Sequence, residues 1–303
     1  MNDTYKKQVE LLLEILPYVA KEKNFALHGG TAINLFHLNM PRLSIDIDLT
    51  YITFSSDRNA DLENIRNSLE TIQTNLKKQI SNIRFFNQQK AIENLKLICV
   101  TQEATVKIEV NQINRGIIAE PETRVLCERA QKIFGSFCKI NTVSKGQLWG
   151  GKINAALDRQ HPRDLFDIMN LFNETGYTDD IKKGVIFFLL CGSRPFHELL
   201  NPRRIDQHEV LETQFNDMTD IPFSYEEFKN TRERIISEVN KSLTDNDKEF
   251  FINFTNGEPN WNNTDYSQFP AIRWKLLNIK KLKANNLQKF QEQVDLLQRH
   301  FNL

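Results

Sequence analysis

Two aspartates, Asp46 and Asp48, lie two positions apart in a stretch, residues 43–49, that alternates apolar and polar side chains. Period-two alternation marks a half-buried strand, so both carboxylates project from one face, roughly 6 to 7 Å apart at their Cα atoms. That spacing lets two hard oxygen ligands share a divalent cation, and magnesium is commonly held by one or two carboxylates plus phosphate oxygens of a substrate. A third carboxylate, Glu109, lies in the alternating run 104–111, where Lys107, Glu109 and Asn111 share the face opposite Val106, Ile108 and Val110. Added to the aspartates, it would complete a set able to activate a nucleophile and stabilise leaving pyrophosphate. Upstream, Gly29-Gly30-Thr31 falls between a short apolar run, residues 25–27, and a helix-like stretch, 31–38. A glycine turn at a helix start presents backbone N–H groups and the positive dipole end to phosphate. Each piece has a plainer reading: solvent-facing aspartates on an edge strand, a routine strand glutamate, or a turn that needs positive φ. Their succession, glycine turn then Asp-x-Asp strand, is what points to nucleotide chemistry.

The elements that must position these groups follow from periodicity. Residues 5–21 repeat Val9, Leu12, Leu13, Ile15 and Leu16 at helical spacing, an amphipathic opening helix. A strand at 25–27 runs into the glycines, and Pro41 closes the helix after them. A long helix is expected over 57–80, then extended runs at 95–101 and 104–111. Beyond Val143 helical periodicity takes over, with Ser144 able to cap the first helix and a loop at Gly257-Glu258-Pro259-Asn260. The expectation is an α/β (α+β) domain with a mixed sheet over residues 1–143 and a helical domain over 144–303.

The start of the helical half carries a second charged constellation. Lys152, Ala155 and Arg159 fall at i, i+3 and i+7, one helical stripe with a small residue in it. Pro162 suits the first turn of a new helix, which then bears Arg163, Asp164 and Asp167. An ion-paired helix corner, with acids favoured near a helix start by the macrodipole, is the plain alternative.

Together these motifs resemble a known family. Gly29-Gly30-Thr31 with Leu35, followed by Arg42-x-Ser44-x-Asp46-Ile47-Asp48-Leu49, is similar to the first motif of the AbiEii-type nucleotidyltransferases, within the polymerase-β-like nucleotidyltransferase superfamily. Lys152-x-x-Ala155-x-x-x-Arg159-x-x-x-Arg163-Asp164-x-x-Asp167-Ile168 resembles a second motif of that family, with Ile168 where leucine is frequent. The resemblance spans roughly residues 25 to 170. It implies the nucleotidyltransferase fold, with an active site in the cleft between the two domains. A nucleoside triphosphate would be held with Mg²⁺, or Mn²⁺ in its place, by Asp46 and Asp48, with Glu109 as the third acidic position. Phosphates would sit on Gly30, Thr31 and Ser44, with Gly29 and Arg42 also in the nucleotide-binding set and charge neutralised by Lys152. Asp164 is implied as essential, holding Lys152, and Arg163 and Asp167 as structural support. The resemblance further implies the toxin of a type IV toxin–antitoxin or abortive-infection system. An antitoxin protein would be its partner, and RNA, the tRNA acceptor end in particular, would receive the nucleotide. Rival readings are transfer to a small molecule or protein, and a catalytically silent nucleotide-binding module.

Composition bounds all of this. The 303 residues are 40% apolar and 26% charged, with 11 Gly and 9 Pro, as in ordinary globular proteins. Neither a signal peptide nor a transmembrane span is legible. Cys99, Cys127, Cys138 and Cys191 are widely spaced, without zinc-ligand or disulfide-framework patterning. A reducing cytoplasm is the expected compartment. With 39 basic and 39 acidic residues there is no global field to attract a polyanion. Nucleic acid would need local patches, for which Arg203-Arg204 and Lys280-Lys281-Leu282-Lys283 are candidates.

Overall fold

The opening periodicity becomes helix α1 (Asp3–Val19), started by the Asn2 side chain, which accepts the Thr4 N–H at 2.8 Å. Its stripe of Val9, Leu12, Leu13, Ile15 and Leu16 is buried. The structure is a computed structural model that describes residues 2–86, 95–261 and 266–302. Strand β1 (Phe25–His28) enters α2 (Gly29–Ala32), which continues as a π-helical turn, Ile33–His37, closed by the Leu38 N–H on the Ile33 carbonyl at 2.8 Å. This helix begins two residues before the expected Thr31. It also ends before Pro41, because the backbone is already extended at Leu38 and left-handed at Met40, φ 52°.

Strand β2 (Asp46–Tyr51) is shorter at its start than the alternation over 43–49 implies. The Leu43 N–H donates to the Met218 carbonyl at 2.8 Å and Arg42 bridges to Thr219, so this approach pairs with a distant segment instead of the sheet. Helix α3 (Arg58–Gln79) follows, its first N–H groups capped by Asp57, then β3 (Arg84–Phe86), β4 (Lys96–Val100), β5 (Thr105–Val110), β6 (Glu122–Val125), α4 (Glu128–Phe134) and β7 (Lys139–Thr142). The seven strands order as β3-β4-β5-β2-β1-β7-β6, a mixed sheet in which β2/β5 and β1/β7 are parallel. Strands β3, β6 and β7 are three or four residues long, too short for alternation to announce them.

The chain forms two compact units, one of Met1–Leu148 with Glu209–Phe223, the other of Trp149–His208 with Ser224–Leu303. The segment Glu209–Phe223, which periodicity assigns to the helical half, is thus part of the first unit. Phe215 and Met218 are buried there, the Thr219 hydroxyl donates to the Pro41 carbonyl at 2.8 Å, and Arg129 pairs with Asp220 at 3.2 Å.

Helices α5 (Lys145–Arg159), α6 (Pro162–Glu174), α7 (Asp179–Cys191), α8 (Phe196–Leu200), α9 (His208–Gln214), α10 (Tyr225–Ser242), α11 (Asp245–Thr255), α12 (Pro270–Asn285) and α13 (Leu287–Phe301) complete the chain. Ser144 accepts the Gln147 N–H at the start of α5, and α10 and α11 open with reciprocal capping boxes, Ser224/Glu227 and Thr244/Asp247. The second unit's core is aromatic, with Phe187 edge-on to Phe269 at 4.8 Å and Phe196 against Phe251 at 4.7 Å. Among the described residues no helix is long and apolar enough to cross a membrane. The four cysteines are free, and burial raises each thiol, Cys99 to about 12 and Cys138 to about 11.

Gly150 marks the tightest approach in the second unit, since a Cβ there would stand 2.2 Å from the Gly184 carbonyl carbon and 2.6 Å from its Cα. The obstacle is the backbone of Gly184, which cannot swing aside as a flexible side chain would, so α5 meets α7 at this point only with glycine at position 150. Gly150→Ala is expected to cost about 3 kcal/mol, the upper part of the overpacking range. Urea unfolding checks it, and a midpoint unchanged from wild type would refute the requirement.

Candidate active site

Strand pairing fixes which side chains meet. Antiparallel β1/β2 sets His28 opposite Asp48, and parallel β2/β5 sets Asp46 beside Lys107 and Asp48 beside Glu109. Across the β4/β5 pair, Lys96 faces Glu109. Half-buried Asp46, Asp48, Lys107 and Glu109 therefore share one face, while Ile47, Leu49, Ile108 and Val110 fill the core on the other.

The glycine turn lies directly against this face. Gly29 is left-handed, φ +67°, and a Cβ on it would fall 2.3 Å from Oδ2 of Asp48. Only glycine tolerates both the conformation and the contact. A Cβ on Gly30 would stand 2.9 Å from Arg42 Nη2 and from Ser44 Oγ. The Thr31 hydroxyl, fully buried, donates to the Asp46 carbonyl at 2.5 Å and lies 3.1 Å from Ser44 Oγ. Arg42 is buried too, and its Nη1 donates to the Leu43 carbonyl at 2.9 Å. The structure thus gathers Gly29, Gly30, Thr31, Arg42, Ser44, Asp46 and Asp48. The Thr31 side chain ties the turn to the start of β2, and those of Arg42 and Ser44 lie beside Gly30.

Glu109 carries partners that the sequence reading did not give it. Lys96 Nζ is 2.7 Å from one carboxylate oxygen and Lys107 Nζ is 2.8 Å from the other. Burial alone would raise the Glu109 carboxyl, but the hydrogen bonds and charges of Lys107 and Lys96 outweigh it and hold the group below its usual range. Burial alone would likewise lower Lys107, and its hydrogen bond to Glu109 with the charges of Asp46, Glu109 and Asp48 turns the shift upward. Lys107 was legible, two residues before Glu109 on the same strand face. Lys96 was not, because its place opposite Glu109 depends on register.

These donors fit a magnesium ion as a pair. Asp46 and Asp48 offer hard oxygens from one strand face beside a turn that approaches closely for lack of a side chain. Among the described residues no group of three or more His, Cys, Asp and Glu side chains stands in a metal-holding arrangement, and both Glu109 oxygens are on lysines. Substrate phosphate oxygens are the ligands such a pair ordinarily recruits.

In the second unit, the remaining candidates form a buried ion cluster. Pro162 opens α6 behind the His161 cap, whose side chain accepts the Arg163 N–H at 3.1 Å, and this turn points Asp164 inward. Lys152 Nζ donates to Asp164 Oδ1 at 2.8 Å and pairs with Asp167 Oδ2 at 3.0 Å. Arg159 grips Asp164 through Nε at 2.7 Å and Nη2 at 3.2 Å. Burial alone would raise the Asp164 carboxyl, yet the Lys152 charge and the Arg159 hydrogen bond hold it well below the usual carboxylate range. Asp164 therefore fixes the position of the Lys152 ammonium.

A mixed sheet carrying an Asp-x-Asp strand against a glycine turn defines a nucleotidyltransferase fold. The solved structure of MenT4, a nucleotidyltransferase toxin from Mycobacterium tuberculosis H37Rv, superimposes with a TM-score of 0.63 over 91% of this chain and 93% of that one, at 12% identity. That likeness speaks for the fold. The profile described as "Nucleotidyl transferase AbiEii toxin, Type IV TA system" matches residues 10–278, and the chain belongs to this family of nucleotidyltransferases. No curated protein sequence matches it.

Asp164→Asn removes the charge that holds Lys152 and Arg159, and breaking a buried pair in this way typically costs about 3–5 kcal/mol. Because the folded carboxyl is depressed, its contribution is present above the unfolded value, about 3.9, and is lost as pH falls below it. Urea unfolding of wild type and variant should show the full difference at neutral pH and a narrowing gap below about pH 4. A gap independent of pH would mean that Asp164 contributes through packing instead.

Proposed function

We propose that this protein uses Mg²⁺ to transfer a nucleoside monophosphate from an NTP to an RNA hydroxyl, the tRNA acceptor end being the favoured target. It would act as a cytoplasmic toxin held in check by an antitoxin. The observation that carries the proposal is the contact of Asp48 with the left-handed Gly29 turn, beside Asp46 on the same strand face. The acceptor oxygen bonds to the α-phosphorus as the bond from that phosphorus to the bridging oxygen breaks, pyrophosphate leaves with the electron pair, and the proton of the acceptor hydroxyl passes to solvent water. Asp46 and Asp48 would hold the ion, which when bound supplies charge neutralisation and polarisation of the phosphoryl oxygens. The backbone N–H groups of Gly30 and Thr31 would take phosphate oxygens at the helix start.

Glu109 is a poor proton acceptor while Lys96 and Lys107 hold it below its usual range, so alignment of the acceptor hydroxyl suits it better than deprotonation. We propose that Lys152 and Asp164 are also needed for turnover. An ammonium has three donors, and Asp164 and Asp167 take two of those on Lys152, which holds its charge in place. Catalysis on this reading is positioning and electrostatics.

The test is incubation of purified protein with total RNA, Mg²⁺ and each NTP labelled at the α-phosphate. Wild type is expected to label a discrete RNA band. The Asp46→Ala/Asp48→Ala variant should lose at least about 100-fold, on the scale of a deleted electrostatic group. Equal labelling by that variant would sink the assignment of the aspartates. Label on protein or small hydroxylated compounds would discard RNA as acceptor, and no label anywhere would favour a silent module.

A further inference from the structure

The second unit contains a cavity of about 620 Å³ that none of these roles explains. It is lined by the last turn of α5, by α8, by residues 201–203 with Ile205, and by the final turns of α13. Its volume suits a nucleotide-sized occupant, within the roughly 300–1,000 Å³ of ligand pockets.

The charges lining it are unevenly matched. Arg194 is paired with Asp158, and Glu198 lies 3.8 Å from its Nη1, so the two acids of the cavity are on one arginine. Arg203 and Arg299 are exposed, and among the described residues neither guanidinium has an ion pair or side-chain hydrogen bond. Both open onto the same cavity as Ile205 and Leu296, which are 39% and 43% exposed and give it an apolar wall. The other basic residues singled out in the sequence lie outside this cavity. Arg204 is gripped at both ends by Glu233, at 3.0 and 2.7 Å, while Lys281 lies over the Trp274 ring and Lys283 over that of Phe290.

A guanidinium is a planar fork that matches phosphate oxygens two at a time. Two such forks beside an exposed apolar wall match a phosphodiester whose base is unstacked, as in single-stranded RNA. We propose that this cavity is a binding site for single-stranded RNA, with backbone phosphates on Arg203 and Arg299 and a base against Leu296 and Ile205. In a chain of zero net charge, this local match takes the place of a global field. The assignment rests on RNA as acceptor, and it adds where in the second unit that RNA is held.

The test measures anisotropy of a short labelled single-stranded RNA with full-length wild type, Arg203→Ala/Arg299→Ala and Arg203→Lys/Arg299→Lys across a salt series. The alanine variant should bind about tenfold more weakly. Its slope of log affinity against log salt should flatten by about 1.4, at ~0.7 per lost phosphate contact on a single strand. The lysine variant should keep the slope and lose part of the affinity, and melting temperatures should match wild type. An alanine variant that binds as wild type does, with the same slope, overturns the proposal while leaving the labelling reaction untouched. A wild type that binds no RNA overturns it together with the RNA-acceptor reading. Competition by inorganic phosphate or AMP as effective as that of unlabelled RNA overturns it in favour of a small free anion.

Discussion

The space that a side chain at Gly29 would occupy is filled by the carboxylate of Asp48. That exclusion constrains the chain on both sides of the turn. It requires the left-handed backbone at Gly29, which sends β1 into α2 at once, and it requires β2 to lie in the register that sets Asp48 opposite His28. A slip of one residue would carry Asp46 and Asp48 into the core and bring Ile47 and Leu49 out. Several bonds guard against the slip. Thr31 holds the Asp46 carbonyl, Arg42 holds the Leu43 carbonyl, and Leu43 is tied to Met218.

Local pattern announced what local pattern controls. The strand face of Asp46 and Asp48, the opposed faces of β5, the start of a long helix near Asp57, the cap at Ser144, and the restart at Pro162 are each set by residues within a few positions. What escaped is set by distant partners. The first three residues of the alternation at 43–49 lie outside the sheet because Met218 and Thr219 engage the backbone there, some 175 positions away. Lys96 meets Glu109 only through the β4/β5 register, and β6 and β7 are short because each owes its existence to its neighbour. Thr31 and Arg42, which motif position suggests as nucleotide-binding groups, are buried and hydrogen-bonded to the Asp46 and Leu43 carbonyls, contacts that spacing does not encode.

A second theme is internal compensation of charge. Glu109 is bracketed by two lysines, Asp164 by Lys152 and Arg159, and buried Asp61 by Arg115 at 3.1 Å. An unpaired buried carboxylate would be neutralised or would unfold its surroundings. Pairing with cations holds the Glu109 and Asp164 carboxyls below their usual range and so ionised.

The return of Glu209–Phe223 to the first unit bears on how such a chain can be inherited. Two compact bodies joined once can be separated by a stop codon or exchanged by recombination at the joint. Here the chain changes bodies three times, after Leu148, His208 and Phe223. A gene cut after the sheet would lose Met218, Thr219 and Asp220, and with them the ties that secure the approach to the aspartate strand. No single breakpoint therefore parts the two bodies cleanly, since any cut that keeps the first one whole carries Trp149–His208 of the second along with it.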